Sequence, residues 1–151
     1  MQTLRKIFTM LINLFFAKAL GGFNQRRGAG YREANGRRPG VVTTKTGLQY
    51  EVLRPSAGPQ PGFGSRVTVH YRGSLINGVV FDSSYDRNDP LVIKTYEVIS
   101  GWSDGLKLMN EGAQFRFVIP PEEAYGPKGA GMVIGPNETL VFEVELLKVE
   151  G

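Results

Sequence analysis

The residues of this chain that could do chemistry are aromatic and phenolic rather than nucleophilic. Cys is absent and His70 is the only His, which argues against a thiolate or imidazole metal site and against a Ser–His catalytic pair. His70 also lies in a strand pattern, where a structural role is favoured. The glycines of residues 126–131 follow no strand of a βαβ unit, so they are weak support for a nucleotide site. The sequence therefore predicts neither a metal nor a cofactor.

The only Trp, Trp102, lies in residues 98–106, where an apolar strand gives way to a short helical pattern. Ser100 or Ser103 can cap the first turn of this helix, and Gly112 is expected to end it. The apolar residues that follow Trp102 recur at helical spacing, so the indole should face the core. An indole in that place is either ordinary core packing or the wall or floor of a pocket.

Alternating apolar residues predict a mostly antiparallel β structure around this helix. The predicted strands are residues 48–53, 66–75, 79–83, 91–94, 113–119 and 139–148. Asn77 and Gly78 form the strongest hairpin signal in the chain. Five or six strands with one short helix indicate an α+β fold, in which the helix lies across one face of the sheet because its apolar stripe can be buried there.

Such a fold would gather an apolar, concave lining between the helix and the sheet. It would carry two phenolic hydroxyls and one carboxylate, and a pocket of this kind suits a compact apolar group that bears a carbonyl. The residues expected to line it are Tyr71, Phe81, Asp82, Val98, Ile99, Trp102, Tyr125 and Phe142.

The N-terminal forty residues differ from the rest. In residues 1–20, Arg5 and Lys6 precede an apolar stretch, and Ala17 and Ala19 have the spacing of a signal-peptidase site. A membrane-associating amphipathic helix is the alternative. These features favour the periplasm or cell envelope over a cytoplasmic location. Residues 21–40 are basic and poor in apolar side chains, which predicts a flexible, solvated linker and no nucleic-acid partner. The folded domain is then residues 41–151.

Four motifs between residues 47 and 149 resemble the FKBP-type peptidyl-prolyl cis/trans isomerases. They are VFDSS at 80–84, VISGW at 98–102, AYG at 124–126 and TLVFEVELL at 139–147. The segments GVVTT at 40–44 and GLQY at 47–50 are similar to the bacterial macrophage-infectivity-potentiator branch. Members of that branch are typically exported and often carry an N-terminal helical dimerisation region, which here is missing or reduced to the first forty residues. The oligomeric state therefore stays open.

The resemblance implies a twisted antiparallel sheet wrapped around one helix, with a proline site between them. Trp102 would be the floor, and the Ile99 N–H and the Tyr125 hydroxyl would hold substrate carbonyls. Asp82 either polarises the site or bonds to Tyr71 or a nearby Arg such as Arg87 and holds the wall in place. The resemblance adds two further positions to the substrate-binding residues. Many family members have aromatic residues there, so this wall of the pocket is more aliphatic in the present chain. The two positions are Leu91 and Ile93.

The same resemblance implies the partners and the activity. Proline-containing polypeptides would be substrates, and macrolide immunosuppressants would occupy the same pocket. The expected activity is rotation about X–Pro bonds during protein folding, with Asp82, Tyr125, Ile99 and Trp102 as the catalytic set. The alternative is a prolyl-peptide binding module or a holdase chaperone with little turnover.

Overall fold

The structure, a computed structural model, describes residues 1–151. Two helices, seven strands and two 3-10 turns follow one another along the chain. They are α1 (Gln2–Gly36), β1 (Val41–Thr43), β2 (Gln49–Arg54), β3 (Arg66–Leu75), β4 (Val80–Ser83), β5 (Leu91–Lys94), α2 (Ser100–Leu106), β6 (Gln114–Ile119), the 3-10 turns Pro121–Glu123 and Gly126–Lys128, and β7 (Leu140–Glu150).

All strand pairs are antiparallel and form one sheet, in the order β1-β2-β6-β7-β3-β4. Strand β5 also pairs with β3, at Arg66–Val69, whereas β4 pairs with it farther along, at Arg72–Ser74. Register shifts interrupt the pairings of β3 with β4 and with β7, and such irregularities increase the local twist of a sheet. The predicted antiparallel α+β fold is confirmed, and the strand beyond the predicted six is β1.

Two glycines allow helix α2 to lie directly on the sheet. A Cβ atom on Gly101 would stand 2.5 Å from Cγ2 of Ile119, and one on Gly105 would stand 2.7 Å from Cε1 of Phe117. No real Cβ atom makes such contacts, so both positions need Gly for close packing on β6. Trp102 is buried between them and joins the core cluster.

The ends of α2 differ from those expected. Ile99 is the N-cap residue, and neither Ser100 nor Ser103 makes a capping hydrogen bond, because both already lie inside the helix. The helix ends at Leu106 rather than at Gly112. After that point the amide of Met109 bonds to the carbonyl of Leu106, three residues back, so the chain leaves the α-helix in tighter turns.

Residues 21–36 belong to helix α1, and the prediction of a flexible linker is wrong for them. Their few apolar side chains do not prevent docking, because the contact with the domain is made by small and amide residues instead. Those buried against it are Gly21, Asn24, Gly28 and Asn35.

The first half of α1 projects its apolar side chains into solvent. Phe8, Phe15 and Phe16 are each more than half exposed. By length and composition the helix is able to cross a membrane, a property that signal sequences share. The two halves of one continuous helix therefore have different surroundings.

Candidate functional site

A cavity of about 330 Å³ lies between α2 and the concave face of the sheet. Four strands, the start of α2 and the loop before β7 contribute to it. Its lining residues are Tyr71, Phe81, Asp82, Leu91, Glu97, Val98, Ile99, Trp102, Tyr125 and Phe142. A larger depression along the start of α1 has walls from that helix alone and carries no comparable set of donors and aromatic rings.

Aromatic rings in edge-to-face contact form the floor of the cavity. The indole of Trp102, only 5% exposed, meets the ring of Tyr71 with centroids 5.1 Å apart and that of Phe142 with centroids 5.3 Å apart. Phe81 packs edge-on against Phe142 at 5.5 Å. Gly73 in β3 makes room for these rings, since a Cβ there would lie 2.6 Å from Phe142 and 2.7 Å from Phe81. Edge-to-face pairs are favourable, so the rings stabilise one another while they form an apolar floor.

A polar triad stands at the rim of the cavity. The Tyr71 hydroxyl donates to Oδ2 of Asp82 at 2.5 Å, and Arg87 pairs with Oδ1 of the same carboxylate. Arg87 also donates to the Tyr71 oxygen at 3.0 Å. Both oxygens of Asp82 are therefore engaged by neighbours in the chain.

These contacts shift the protonation equilibria of the rim. Burial acts to raise the pKa of Asp82, but hydrogen bonds from Tyr71 and Arg87 outweigh it and hold that pKa below its usual range. Burial and the hydrogen bond to Asp82 raise the pKa of Tyr71. At neutral pH the pair is thus a carboxylate and a neutral phenol, an arrangement that supports the wall-holding interpretation of Asp82.

Three donors at the cavity have no acceptor in the chain. The Ile99 carbonyl accepts two helix amides at 3.0 Å, from Trp102 and Ser103, but the Ile99 N–H makes no hydrogen bond. The indole N–H of Trp102 is buried without a partner. The Tyr125 hydroxyl makes no side-chain hydrogen bond, and this residue is 41% exposed. Buried donors in native proteins are nearly always satisfied, so the buried indole N–H of Trp102 is open to an acceptor of a ligand. The Ile99 N–H and the Tyr125 hydroxyl, on partly exposed residues that line the cavity, are open to such acceptors as well.

The structure brings together all but one of the residues predicted from the sequence. Ile93 does not line the cavity, because in β5 it packs on the core beside Val67 and borders a separate depression of about 160 Å³. Glu97 does line the cavity and was missed. Its only sequence signal is its position directly before Val98 and Ile99. His70 stays outside, bonded to Ser84 and stacked on Tyr85.

Two family patterns match the sequence. Residues 58–147 match FKBP-type peptidyl-prolyl cis-trans isomerase, and residues 4–52 match the domain amino terminal to FKBP-type peptidyl-prolyl isomerase. The chain belongs to the FKBP-type peptidyl-prolyl cis-trans isomerase family. The predicted resemblance is confirmed, and residues 4–36 of helix α1 lie within the second matched region.

Two named relatives are bacterial proteins. Over 127 residues the chain is 46% identical to peptidyl-prolyl cis-trans isomerase Mip of Coxiella burnetii and 46% identical to FkpA of Escherichia coli strain K12. These alignments cover 84% of this chain but 55% and 47% of the two relatives. The chain thus spans about half the length of the curated relatives it matches.

Solved structures show the same fold. The crystal structure of FkpA from Escherichia coli superposes with a TM-score of 0.92 at 40% identity, covering 99% of this chain and 70% of that one. A peptidyl-prolyl cis-trans isomerase from Pseudomonas syringae pv. tomato gives a TM-score of 0.81 at 37% identity, covering 86% and 96%.

Proposed function

We propose that this chain accelerates cis/trans isomerisation of X–Pro bonds in polypeptides. The observation that carries the proposal is the aromatic cavity over Trp102, with unpaired donors from Ile99 and Tyr125 beside it. The cavity has the size and apolar lining that suit a prolyl ring, and its donors suit the flanking carbonyls.

The chemistry needs no covalent step. Rotation about a peptide bond is opposed by a barrier of ~18–20 kcal/mol, because amide resonance is lost when the bond is twisted. A twisted amide is less polar than a planar one, so a dry aromatic site disfavours the planar ground state more than the transition state. The Trp102 floor excludes water from the prolyl ring.

The donors of the site fix one side of the rotating bond. The Ile99 N–H and the Tyr125 hydroxyl hold carbonyl oxygens of the substrate, so that rotation takes place about a single bond in an oriented peptide. Asp82 keeps the Tyr71 ring and the wall in position through the triad with Arg87. It acts as a positioning residue rather than as a proton carrier.

The proposal is tested with NMR exchange or a protease-coupled assay on an Ala-Leu-Pro-Phe type peptide. We expect acceleration over the uncatalysed rate, and a loss of kcat/KM between about two- and tenfold in Tyr125→Phe, the effect of one hydrogen bond worth ~0.5–1.5 kcal/mol. Tyr31→Phe is the matched control, since it removes a hydroxyl outside the cavity. If the wild-type chain left the rate of peptide isomerisation at its uncatalysed value, the proposal would be refuted.

We also propose that macrolide immunosuppressants bind in the same cavity. Macrolide immunosuppressants carry a compact apolar ring flanked by carbonyls, which the aromatic floor and the unpaired donors would accommodate. A macrolide should inhibit the wild-type isomerase competitively, and Tyr31→Phe should respond identically. Non-competitive inhibition would place the drug elsewhere.

A second candidate function is a holdase with little turnover. The loop before β7 presents Met132, fully exposed, and Val133, half exposed, close in sequence to Tyr125. Such apolar tips bind unfolded chains. Suppression of client aggregation that survives Tyr125→Phe but is lost in Met132→Ser would favour it.

We further propose that residues 1–20 direct the chain to the periplasm or cell envelope. The exposed apolar half of α1 supports this, as does the absence of any acidic residue before Glu33. Cell fractionation with N-terminal sequencing distinguishes the outcomes. A start near Ala19 indicates cleavage, an intact start in the membrane fraction indicates an anchor, and an intact soluble cytoplasmic chain contradicts the proposal.

A further inference from the structure

The second half of α1 contacts the loop that carries Tyr125. Asn24 donates from Nδ2 to the carbonyl of Pro136 at 2.9 Å, and Asn137 donates from Nδ2 to the carbonyl of Gly21 at 3.4 Å. One turn farther along, Gly28 lies against Thr139, where a Cβ atom would stand 2.4 Å from Oγ1. Helix and loop therefore meet at a distance that only Gly permits.

The same loop is closed on itself beside Tyr125. The amide of Asn137 donates to the carbonyl of Gly126 at 2.8 Å, and Ala130 and Ile134 exchange backbone hydrogen bonds across the turn. Asn137 has a φ of 56°, in the left-handed region. It thus bonds to α1 through its side chain and to the neighbour of Tyr125 through its backbone.

Tyr125 has no side-chain hydrogen bond of its own to fix its hydroxyl. Its place at the cavity is set by the backbone on which it stands, and that backbone is tied to α1 through Gly126 and Asn137. A route of direct contacts therefore runs from the helix to the rim of the site.

We propose that residues 21–28 of α1 position Tyr125 for isomerisation by holding the loop of residues 126–139 in place. Gly21, Asn24 and Gly28 are positioning residues, since none of them lines the cavity. The inference rests on the proposed isomerase function. It makes the N-terminal helix part of the working site rather than only a leader or spacer.

The physical basis is preorganisation. A loop held by the helix presents the Tyr125 hydroxyl to the substrate in one place, whereas a released loop must be ordered at each binding event. Because the helix acts through one hydroxyl, its release costs no more than removal of that hydroxyl, about two- to tenfold in kcat/KM.

The test compares two glycines of the same helix in the full-length chain. Gly28→Ala forces a contact with Thr139, whereas Gly30→Ala meets nothing within 4 Å, and both substitutions favour helix equally. We expect Gly28→Ala to lower kcat/KM about two- to tenfold, within the limit set by the Tyr125 hydroxyl bond. Gly30→Ala should match the wild type. Equal activity of the two variants would overturn the inference while leaving the isomerase proposal intact.

A double-mutant cycle shows whether the effect passes through Tyr125. In the Tyr125→Phe background we expect Gly28→Ala to cause no further loss, because the group it misplaces is gone. A merely structural effect would be additive, and an additive result would overturn the inference. Thr139→Ala removes an Oγ1 that has no hydrogen-bond partner, so added to Gly28→Ala it should restore most of the activity.

Hydrogen exchange gives a readout independent of turnover. Gly28→Ala, or Asn24→Ala should the former fail to fold, is expected to speed amide exchange across residues 126–139 but not in the central strands. Gly30→Ala should leave exchange unchanged. Unaltered loop exchange in the helix variants would overturn the inference even if the wild-type chain showed no isomerase activity.

Discussion

The floor and the rim of the cavity are built on opposite principles. The floor consists of Trp102, Phe142 and Phe81, rings in edge-to-face contact over Gly73, with no room for an added carbon atom. The rim consists of Asp82, Arg87 and Tyr125, partly exposed polar groups on a short strand and loops. Burial makes the floor a source of stability, whereas the exposed rim contributes less to folding. Tyr125 would act on the substrate directly, and Asp82 and Arg87 would act by holding the wall in place. Substitutions at the two levels should therefore separate stability from activity.

The largest effect is expected from Trp102→Ala at the floor. Truncation of a buried aromatic residue leaves a cavity and lowers the free energy of unfolding by about 3–5 kcal/mol. Urea denaturation followed by circular dichroism measures the loss, and isomerase activity should fall with it. Phe63→Ala, at a Phe that is 82% exposed, is the control and should leave stability nearly unchanged. Equal midpoints for the two variants would contradict a buried, stabilising floor.

Gly73→Ala tests the tight packing of the same floor from the backbone side. The new methyl group would press on Phe142 and Phe81, and overpacking of this kind costs about 1–3 kcal/mol. Thermal melting measures it. Gly62→Ala is the matched control, because the nearest atom to its Cβ would be Ser65 Oγ at 3.9 Å. If Gly73→Ala were as stable as Gly62→Ala, the rings of Phe142 and Phe81 would have to move aside for the new methyl group.

At the rim, Asp82→Asn should affect activity more than stability. It removes the charge that engages Arg87 and Tyr71 but keeps the shape, and a partly exposed ion pair contributes only ~0.2–1 kcal/mol. We expect a small change in the unfolding midpoint together with a several-fold loss of kcat/KM as the Tyr71 wall loosens. Asp86→Asn, a neighbouring carboxylate outside the cavity, controls for net charge. If Asp82→Asn greatly lowered stability but left activity unchanged, the rim would serve folding rather than catalysis, contrary to our expectation.

The smallest effect is the pH dependence of the rim. The pKa of Asp82 is lowered in the folded chain, so its contribution to stability is present above the unfolded value of ~3.9 and is lost as pH falls through the folded value. The difference in melting temperature between wild type and Asp82→Asn should be constant from neutral pH down to about pH 5, since ionisation in both states is then complete. It should shrink at lower pH. A difference that grew on acidification would mean that the carboxyl pKa is raised.

The sequence predicts the floor better than the rim and the rim better than the helix α1. Alternating apolar and polar residues predict strands β3 and β7, and the helical spacing of apolar residues around Trp102 predicts that it is buried. Both patterns arise because one face of each element packs on the core. The family resemblance adds Leu91 to the lining residues that were expected from the fold. Ile93 is assigned to the cavity, together with Leu91, from its position in the family pattern. In the structure only Leu91 lines the cavity, and Ile93 borders a separate depression.

The docking of α1 could not be predicted from apolar periodicity. Its interface depends on Asn24 and Asn35 hydrogen bonds and on the close approach at Gly28, and none of these produces an apolar stripe. The same limitation applies to Gly73 and Gly101, which matter because a Cβ atom at either position would clash with neighbouring side chains. Partners distant in sequence decide such positions, so single-sequence patterns do not reveal them.

The single indole of the protein stands beneath the proposed proline site. Its emission is therefore an intrinsic optical probe of that site, free of overlap from any second tryptophan. Quenching or a spectral shift on adding peptide would report occupancy directly, without a label and without turnover. Binding affinity and catalytic rate can thus be measured on the same unmodified molecule.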